Sequence, residues 1–299
     1  MHVLYIILLA NDLHLDMKKS PLLILPVLLL TSCESSGHSL KIATTFAPTY
    51  DVVKRLVKDE ADVISLVGTN EPHDFTPSTS KDMVFTSECT LLAAYGHNMD
   101  MYAKDLNKEK YYEITENLSF IGDDPHAWLA PKNMIKMLDN VYNKLINIDS
   151  SYESLFASNY AEAKADYLEL DSEYIAKIKN AILSSRYIVT SHEAFNYLAN
   201  EYGLIQMGIA DIADNPPTSA RLLEITSFMK ENDVHTIFVE ELDELGHAET
   251  IRDELAKDGF AVNFKTLNAY ECVDVNKFNE DNYISVMLEN LKVLEESLK

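Results

Sequence analysis

Between residues 40 and 267, short apolar runs alternate with longer stretches whose apolar positions recur every three or four residues. The short runs have the length of buried strands and the longer stretches carry the period of one helix face. The first half predicts strands over 40–45, 61–67 and 91–95, with a further strand over 118–121. A helix is expected over 50–57. Another opens at Pro77-Ser78-Thr79-Ser80, where Asp82 stands three residues after Thr79 as in a capping box. From Lys132 to Tyr202 there is neither Gly nor Pro. Within that span Phe156, Tyr160, Ala163, Tyr167, Leu170, Tyr174, Ile178 and Ile182 keep helical spacing. One helix over 154–183 would run roughly 45 Å at 1.5 Å per residue, more than one small lobe needs.

The alternation then resumes, with strands over 187–190, 204–209, 236–239 and 260–267 and helices over 193–202, 219–232 and 248–258. Strand–helix alternation on both sides of a long helix predicts an α/β fold: two lobes with mostly parallel sheets flanked by helices, joined by one rigid helix. The expected boundaries are 40–152 for the first lobe, 153–184 for the linking helix and 185–299 for the second lobe.

Ahead of residue 40 the pattern is that of a targeting segment. Met17-Lys18-Lys19 supplies a positive start, residues 21–30 an apolar stretch, and Leu30-Thr31-Ser32-Cys33 closes it. The apolar stretch is shorter than the ~20 residues of a membrane-spanning helix. The ending resembles a bacterial lipobox, which implies lipidation of Cys33 and a polar tether over 34–39. Residues 1–33 are read as a lipoprotein signal peptide with Met17 as the true start. Cys89 and Cys272 form no CxxC pair and fall in different lobes, so both are expected as packing residues rather than a bridge.

Composition narrows the function. The 299 residues, 47% hydrophobic and 24% charged, suit a globular protein, and the formal net charge is −23. Asp12, Asp16, Lys18 and Lys19 cancel within 1–33, so the imbalance belongs to the rest of the chain. No basic footprint for nucleic acid is visible. There is no GxGxxG, P-loop, GxSxG or HExxH, and no Glu stands at helical spacing from a candidate His to act as a general base, which argues against an enzyme.

Histidine placement points instead to a metal. His73 in Glu71-Pro72-His73-Asp74, His126 in Asp124-Pro125-His126-Ala127-Trp128-Leu129-Ala130-Pro131, and His192 in Ser191-His192-Glu193 each sit just past an expected strand. Asn268 follows the last strand. In open α/β sheets, ligands bind at the carboxyl ends of strands, so these four residues are expected to face one cleft, two from each lobe. Three imidazoles and one oxygen form a tetrahedral zinc set, whereas calcium and magnesium favour oxygen. His2 and His14 belong to the leader, His38 to the tether, and His235 and His247 to exposed helix-end positions, while His97 lacks a rigid flank; all six are read as non-ligands. Asp74 and Glu193 are read as helix caps, and Asp124 is a candidate partner of a ligand.

Taken together, these segments resemble the ZnuA/TroA-like cluster of solute-binding lipoproteins that serve zinc and manganese ABC importers. The likeness runs from Ile42 and Phe46-Ala47-Pro48, through the three histidine segments, to Tyr202-Gly203-Leu204, Ile237-Phe238-Val239-Glu240 and Asn282-Tyr283. It implies one metal between two lobes, delivery to a permease and its ATPase, a lipid-anchored monomer on the extracytoplasmic side, and no catalysis. In this family His at the third ligand position accompanies zinc and Glu there accompanies manganese, so His192 favours Zn2+ over Mn2+. The family usually carries Asp after the last strand, where this chain has Thr266-Leu267-Asn268; Asn268, Glu271 or a water is left to complete the site. The His-rich acidic loop of many zinc members is missing between His97 and His126. The competing readings are a manganese or iron receptor on the same scaffold and a surface adhesin with a structural metal.

Overall fold

Two four-stranded parallel sheets organise the chain, seen here in a computed structural model that describes residues 40–68, 79–240 and 245–299. The first is built from β1 (Leu40–Thr44), β2 (Ala61–Ser65), β3 (Leu91–Ala94) and β4 (Tyr111–Glu113), with α1 (Ala47–Val57), α2 (Ser80–Glu88) and α3 (Tyr102–Leu106) between them. Its order is β2-β1-β3-β4. The second uses β5 (Tyr187–Thr190), β6 (Ile205–Gly208), β7 (Thr236–Val239) and β8 (Asn263–Thr266), with α6 (Asn196–Tyr202), α7 (Ser219–Glu231) and α8 (Gly246–Lys257) as crossovers, in the order β6-β5-β7-β8. Both halves thus reverse direction between their two central strands, where an open parallel sheet leaves a crevice at its carboxyl edge. Those central strands are the apolar ones, because both of their faces are covered: all four residues of β3 are buried, as are Ile188, Val189 and Thr190 of β5.

Between the two sheets the chain runs through α4 (Pro131–Ile148) and then α5 (Ser151–Tyr174), and α9 (Tyr283–Leu298) returns against α5. Pro131 opens α4 at a position where its missing N–H costs nothing. The α5 face that meets the core is Phe156, Ala163, Tyr167, Leu170 and Tyr174, five of the eight positions read from the sequence; Ile178 is buried in the turn that follows, whereas Ile182 lies beyond the helix and is exposed. One apolar cluster runs from Ile42, Val53 and Tyr95 of the first half, through Met134, Tyr167 and Tyr174, to Ile188, Phe238 and Tyr283 of the second. Smaller clusters cover the outer faces: Ala43, Leu92 and Ala103 in the first half, and Val189, Ile225 and Leu255 in the second. The linking helices are therefore part of the core rather than a bare strut.

Three expectations are corrected. The strand expected over 118–121 is not formed; that stretch is irregular, with a single bridge between Ile121 and Asp124. The fourth strand is Tyr111–Glu113, a three-residue edge strand too short to show a period. The long helix starts at Ser151, and its α-helical part ends at Tyr174, passing into a π turn over Ile175–Lys179. There Asn180 N–H reaches back five residues to the Ile175 carbonyl (2.9 Å), and the Arg186 guanidinium donates to the carbonyls of Ile178, Lys179 and Ala181. An arginine on the terminal carbonyls satisfies the acceptors that a helix end leaves open, so the helix stops without Gly or Pro. Finally, α6 begins at Asn196 and not at Glu193. Of the capping box expected at Thr79, the cap itself is seen: the Thr79 hydroxyl oxygen accepts from Asp82 N–H at 3.1 Å.

Candidate metal centre

The segment Asp124–Pro131 is held from every side. Its His126-Ala127-Trp128-Leu129 stretch is a single 3-10 turn ending at the Pro131 helix start. Tyr95 OH donates to the Pro125 carbonyl (2.5 Å), Asn133 Nδ2 to Ala127 O (2.9 Å) and Tyr283 OH to Trp128 O (2.6 Å). Trp128 Nε1–H donates to Ala269 O at 2.7 Å. Its indole is fully buried edge-on against Phe46 and Tyr95, with ring centres 5.3 and 5.2 Å away. Tyr197 of α6 donates to Asp124 O at 3.2 Å and accepts from Ile121 N–H at 2.6 Å. A ring flanked by such fixed backbone has few orientations open to it.

Carboxylates choose the orientation of both central imidazoles. Asp124 Oδ1 lies 2.8 Å from His126 Nδ1 and also accepts from the His126 N–H at 3.0 Å. Glu240 Oε1 lies 2.5 Å from His192 Nδ1. With Nδ1–H donating to a carboxylate, the tautomer is fixed and the Nε2 lone pair points the other way. Those two Nε2 atoms face each other at 3.4 Å. Two nitrogens bound to one tetrahedral zinc at ~2.0–2.1 Å must stand about 3.3–3.4 Å apart. At this separation the two nitrogens repel unless a proton or a metal cation lies between them. Glu271 Oε1 is 3.7 Å from His126 Nε2, and the ligand atoms of His126, His192 and Glu271 all fall within 4.8 Å of one another.

The positions follow from topology. His192 stands just past β5 and Glu240 directly past β7, the two central strands of the second sheet. Their loops are stitched together: Ser191 N–H donates to Phe238 O (2.8 Å), and Glu240 N–H to Ser191 Oγ (3.2 Å). Thr190 Oγ1 and Gln206 Nε2 both donate to His192 O. The surroundings are acidic, and this shows in the proton affinities. Burial lowers the His192 pKa, but the Glu240 hydrogen bond and the charges of Glu240 and Glu271 outweigh it and push it up to about 9. His126 shifts the same way, burial being overcome by its bonds to Asp124 and Glu271.

Of the residues read from the sequence, His126 and His192 are brought together, while His73, Asp74 and Cys33 lie outside the described residues. Asn268 is held in a turn. Its Oδ1 accepts from Tyr270 N–H (2.7 Å), its N–H donates to Asn290 Oδ1 (2.9 Å), and its carbonyl accepts from Asn290 Nδ2 (2.8 Å). Glu271, three residues on, is the acid that reaches the cluster. Glu193 is not a helix cap; it pairs with Arg221 at 3.3 Å. Asp124 is the imidazole partner it was considered for. The role of Glu240 went unread, although an acid immediately after a buried strand on the switch-point side was its available signal. His97 stacks on Phe120 and His235 on Phe260, and neither belongs to the cluster.

Comparison with known proteins places the chain in a family. The chain is 29% identical over 297 residues to the high-affinity zinc uptake system protein ZnuA of Bacillus subtilis, covering 89% of this chain and 90% of that one. It is 30% identical over 314 residues to the zinc-binding lipoprotein AdcA of Streptococcus pneumoniae, covering 94% of this chain but only 61% of that longer protein. The crystal structure of the Zn(II)-bound ZnuA-like domain of S. pneumoniae AdcA superposes with a TM-score of 0.73 at 28% identity, covering 87% of this chain and 99% of that domain. The model of the family described as "Zinc-uptake complex component A periplasmic" matches residues 42–297, and with nearly all of both lobes inside that match the chain belongs to the ZnuA family.

Proposed function

We propose that this protein is the extracytoplasmic zinc-binding receptor of an ABC importer, capturing Zn2+ in the crevice between residues 40–152 and 185–299 and presenting it to a permease. The observation that carries the reading is the pair of Nε2 atoms 3.4 Å apart, each imidazole oriented by its own carboxylate. His126, His192 and Glu271 supply two nitrogens and an oxygen, and His73 is the fourth ligand. The Asn268 oxygen is engaged by Tyr270 N–H, which favours Glu271 as the oxygen donor. Imidazole-rich sets favour zinc over manganese. A cleft framed by Asp124, Glu240 and Glu271 attracts cations. Residues 153–184 link the lobes, the protein works as a monomer, and Cys33 carries the lipid that holds it beside its permease. Binding and hand-off, not turnover, is its task.

Stripped protein reloaded with metal should retain about one zinc per chain by elemental analysis, as one tetrahedral set implies. His126→Ala should lose most of that affinity, and an unchanged affinity would end the proposal. Zinc should raise the melting temperature more than manganese or iron at equal concentration, since stabilisation follows affinity. The reverse order would select the manganese or iron receptor instead.

A further inference from the structure

Tyr270, the residue before Glu271, holds a left-handed backbone with φ 56°. That region is uncommon for a side chain of this size, so something must keep the residue there. One restraint is local: Asn268 Oδ1 accepts from Tyr270 N–H. The other comes from the opposite half of the molecule. Tyr270 OH donates to Asp51 Oδ2 at 3.1 Å, and Asp51 lies on α1, fully buried.

Asp51 is a junction. Its Oδ1 accepts from Arg55 Nε (2.8 Å) and Tyr167 OH (2.6 Å), and its Oδ2 accepts from Tyr283 N–H (3.0 Å) besides Tyr270 OH. A carboxylate offers about four lone-pair sites, and four donors occupy this one. The donors come from α1, α5, the turn that carries Glu271 and the start of α9. Arg55 extends the network to Asp166 (3.1 Å) and Asn282 (2.6 Å).

We propose that Asp51 and Tyr270 form a positioning clasp through which helix α1 of the first lobe sets where Glu271 presents its carboxylate. The inference rests on the reading of Glu271 as a ligand. His126 and His192 take their orientation from Asp124 and Glu240 instead, so opening the clasp withdraws one anionic ligand and leaves the imidazole pair in place. A small displacement of α1 against the second lobe is then enough to lower the affinity of the site, which suits a protein that must hold its cargo tightly and later release it.

The test is a double-mutant cycle on the full chain with Tyr270→Phe, Glu271→Gln and the pair together, read by zinc competition titration and by the Co2+ absorption spectrum. Tyr270→Phe keeps the ring and removes only the donor to Asp51. Each single change is expected to weaken zinc binding about 10–100-fold, the cost typical of losing an outer partner of a ligand. The double variant should bind no more weakly than Glu271→Gln alone, and the Co2+ bands of Tyr270→Phe should move to those of Glu271→Gln. Losses that multiply, or wild-type binding by Tyr270→Phe, would overturn the clasp while sparing the ligand. Wild-type binding by Glu271→Gln would overturn both. If Tyr270→Phe fails to fold, Asp51→Asn enters the same cycle with the same expected and contrary outcomes.

Discussion

Trp128 and Ala269 are joined by a 2.7 Å hydrogen bond from the indole N–H to the carbonyl, and this contact helps tie the turn carrying His126 to the turn carrying Glu271. The two residues are 141 positions apart in the chain. Trp128→Phe keeps an aromatic wall beside Phe46 and Tyr95 but leaves a void and a carbonyl without its donor. The expected loss is about 2–3 kcal/mol of stability, from lost packing plus an unsatisfied acceptor. Denaturant midpoints would show it, and zinc affinity should fall with them. An unchanged midpoint would mean that the indole N–H is dispensable.

Asp124→Asn should separate charge from shape. The amide oxygen can still accept from both His126 nitrogens, so the fold is retained, but the imidazole loses its anionic partner. Zinc affinity is expected to fall about 10–100-fold in a competition titration. Wild-type affinity in this variant would show that Asp124 only shapes the turn.

Acidity should act through His192. Its folded pKa of about 9 lies above the ordinary 6.5, so the folded, metal-free protein binds this proton more tightly than the unfolded chain. The stability it contributes is full below about pH 6.5 and is lost as pH rises through about 9. Zinc needs the same nitrogen deprotonated. Loading near pH 7.5 should therefore release about one proton from this residue, measurable as buffer-dependent heat in calorimetry. The zinc-induced rise in melting temperature should be larger near pH 8.5 than near pH 6.5. A larger rise at the lower pH would contradict the assignment.

Gly208 closes β6 against the loop that carries His192. A Cβ there would stand 2.2 Å from Glu193 Cγ and 2.8 Å from both Glu193 N and Ala210 O. The Glu193 side chain can swing away, but the two backbone atoms cannot. Gly208→Ala should cost about 1–3 kcal/mol by overpacking and weaken zinc binding by shifting the residue after His192. Thermal unfolding and zinc titration of the variant would test both halves.

The repeating alternation of short apolar runs and helical stripes was enough to specify two parallel α/β halves, because a strand covered on both faces must be apolar throughout. Rigid flanks likewise singled out His126 and His192, although only His192 follows a strand; the one expected just before His126 does not form. What the chain pattern could not carry is local detail settled by distant partners. Tyr111–Glu113 becomes a strand only because β3 offers it an edge, and the long helix stops where Arg186 reaches back to its carbonyls. The oxygen that comes nearest the histidines shows the same limit most clearly. Asn268 and Glu271 are three positions apart, and no periodicity separates them. Asn290, on a helix 22 residues further on, pins the backbone of Asn268 into its turn, while Asp51 on the first lobe anchors Tyr270. Sequence determined which side chains were available to a metal; the long-range hydrogen bonds of the tertiary structure decided which carboxylate reaches the histidines.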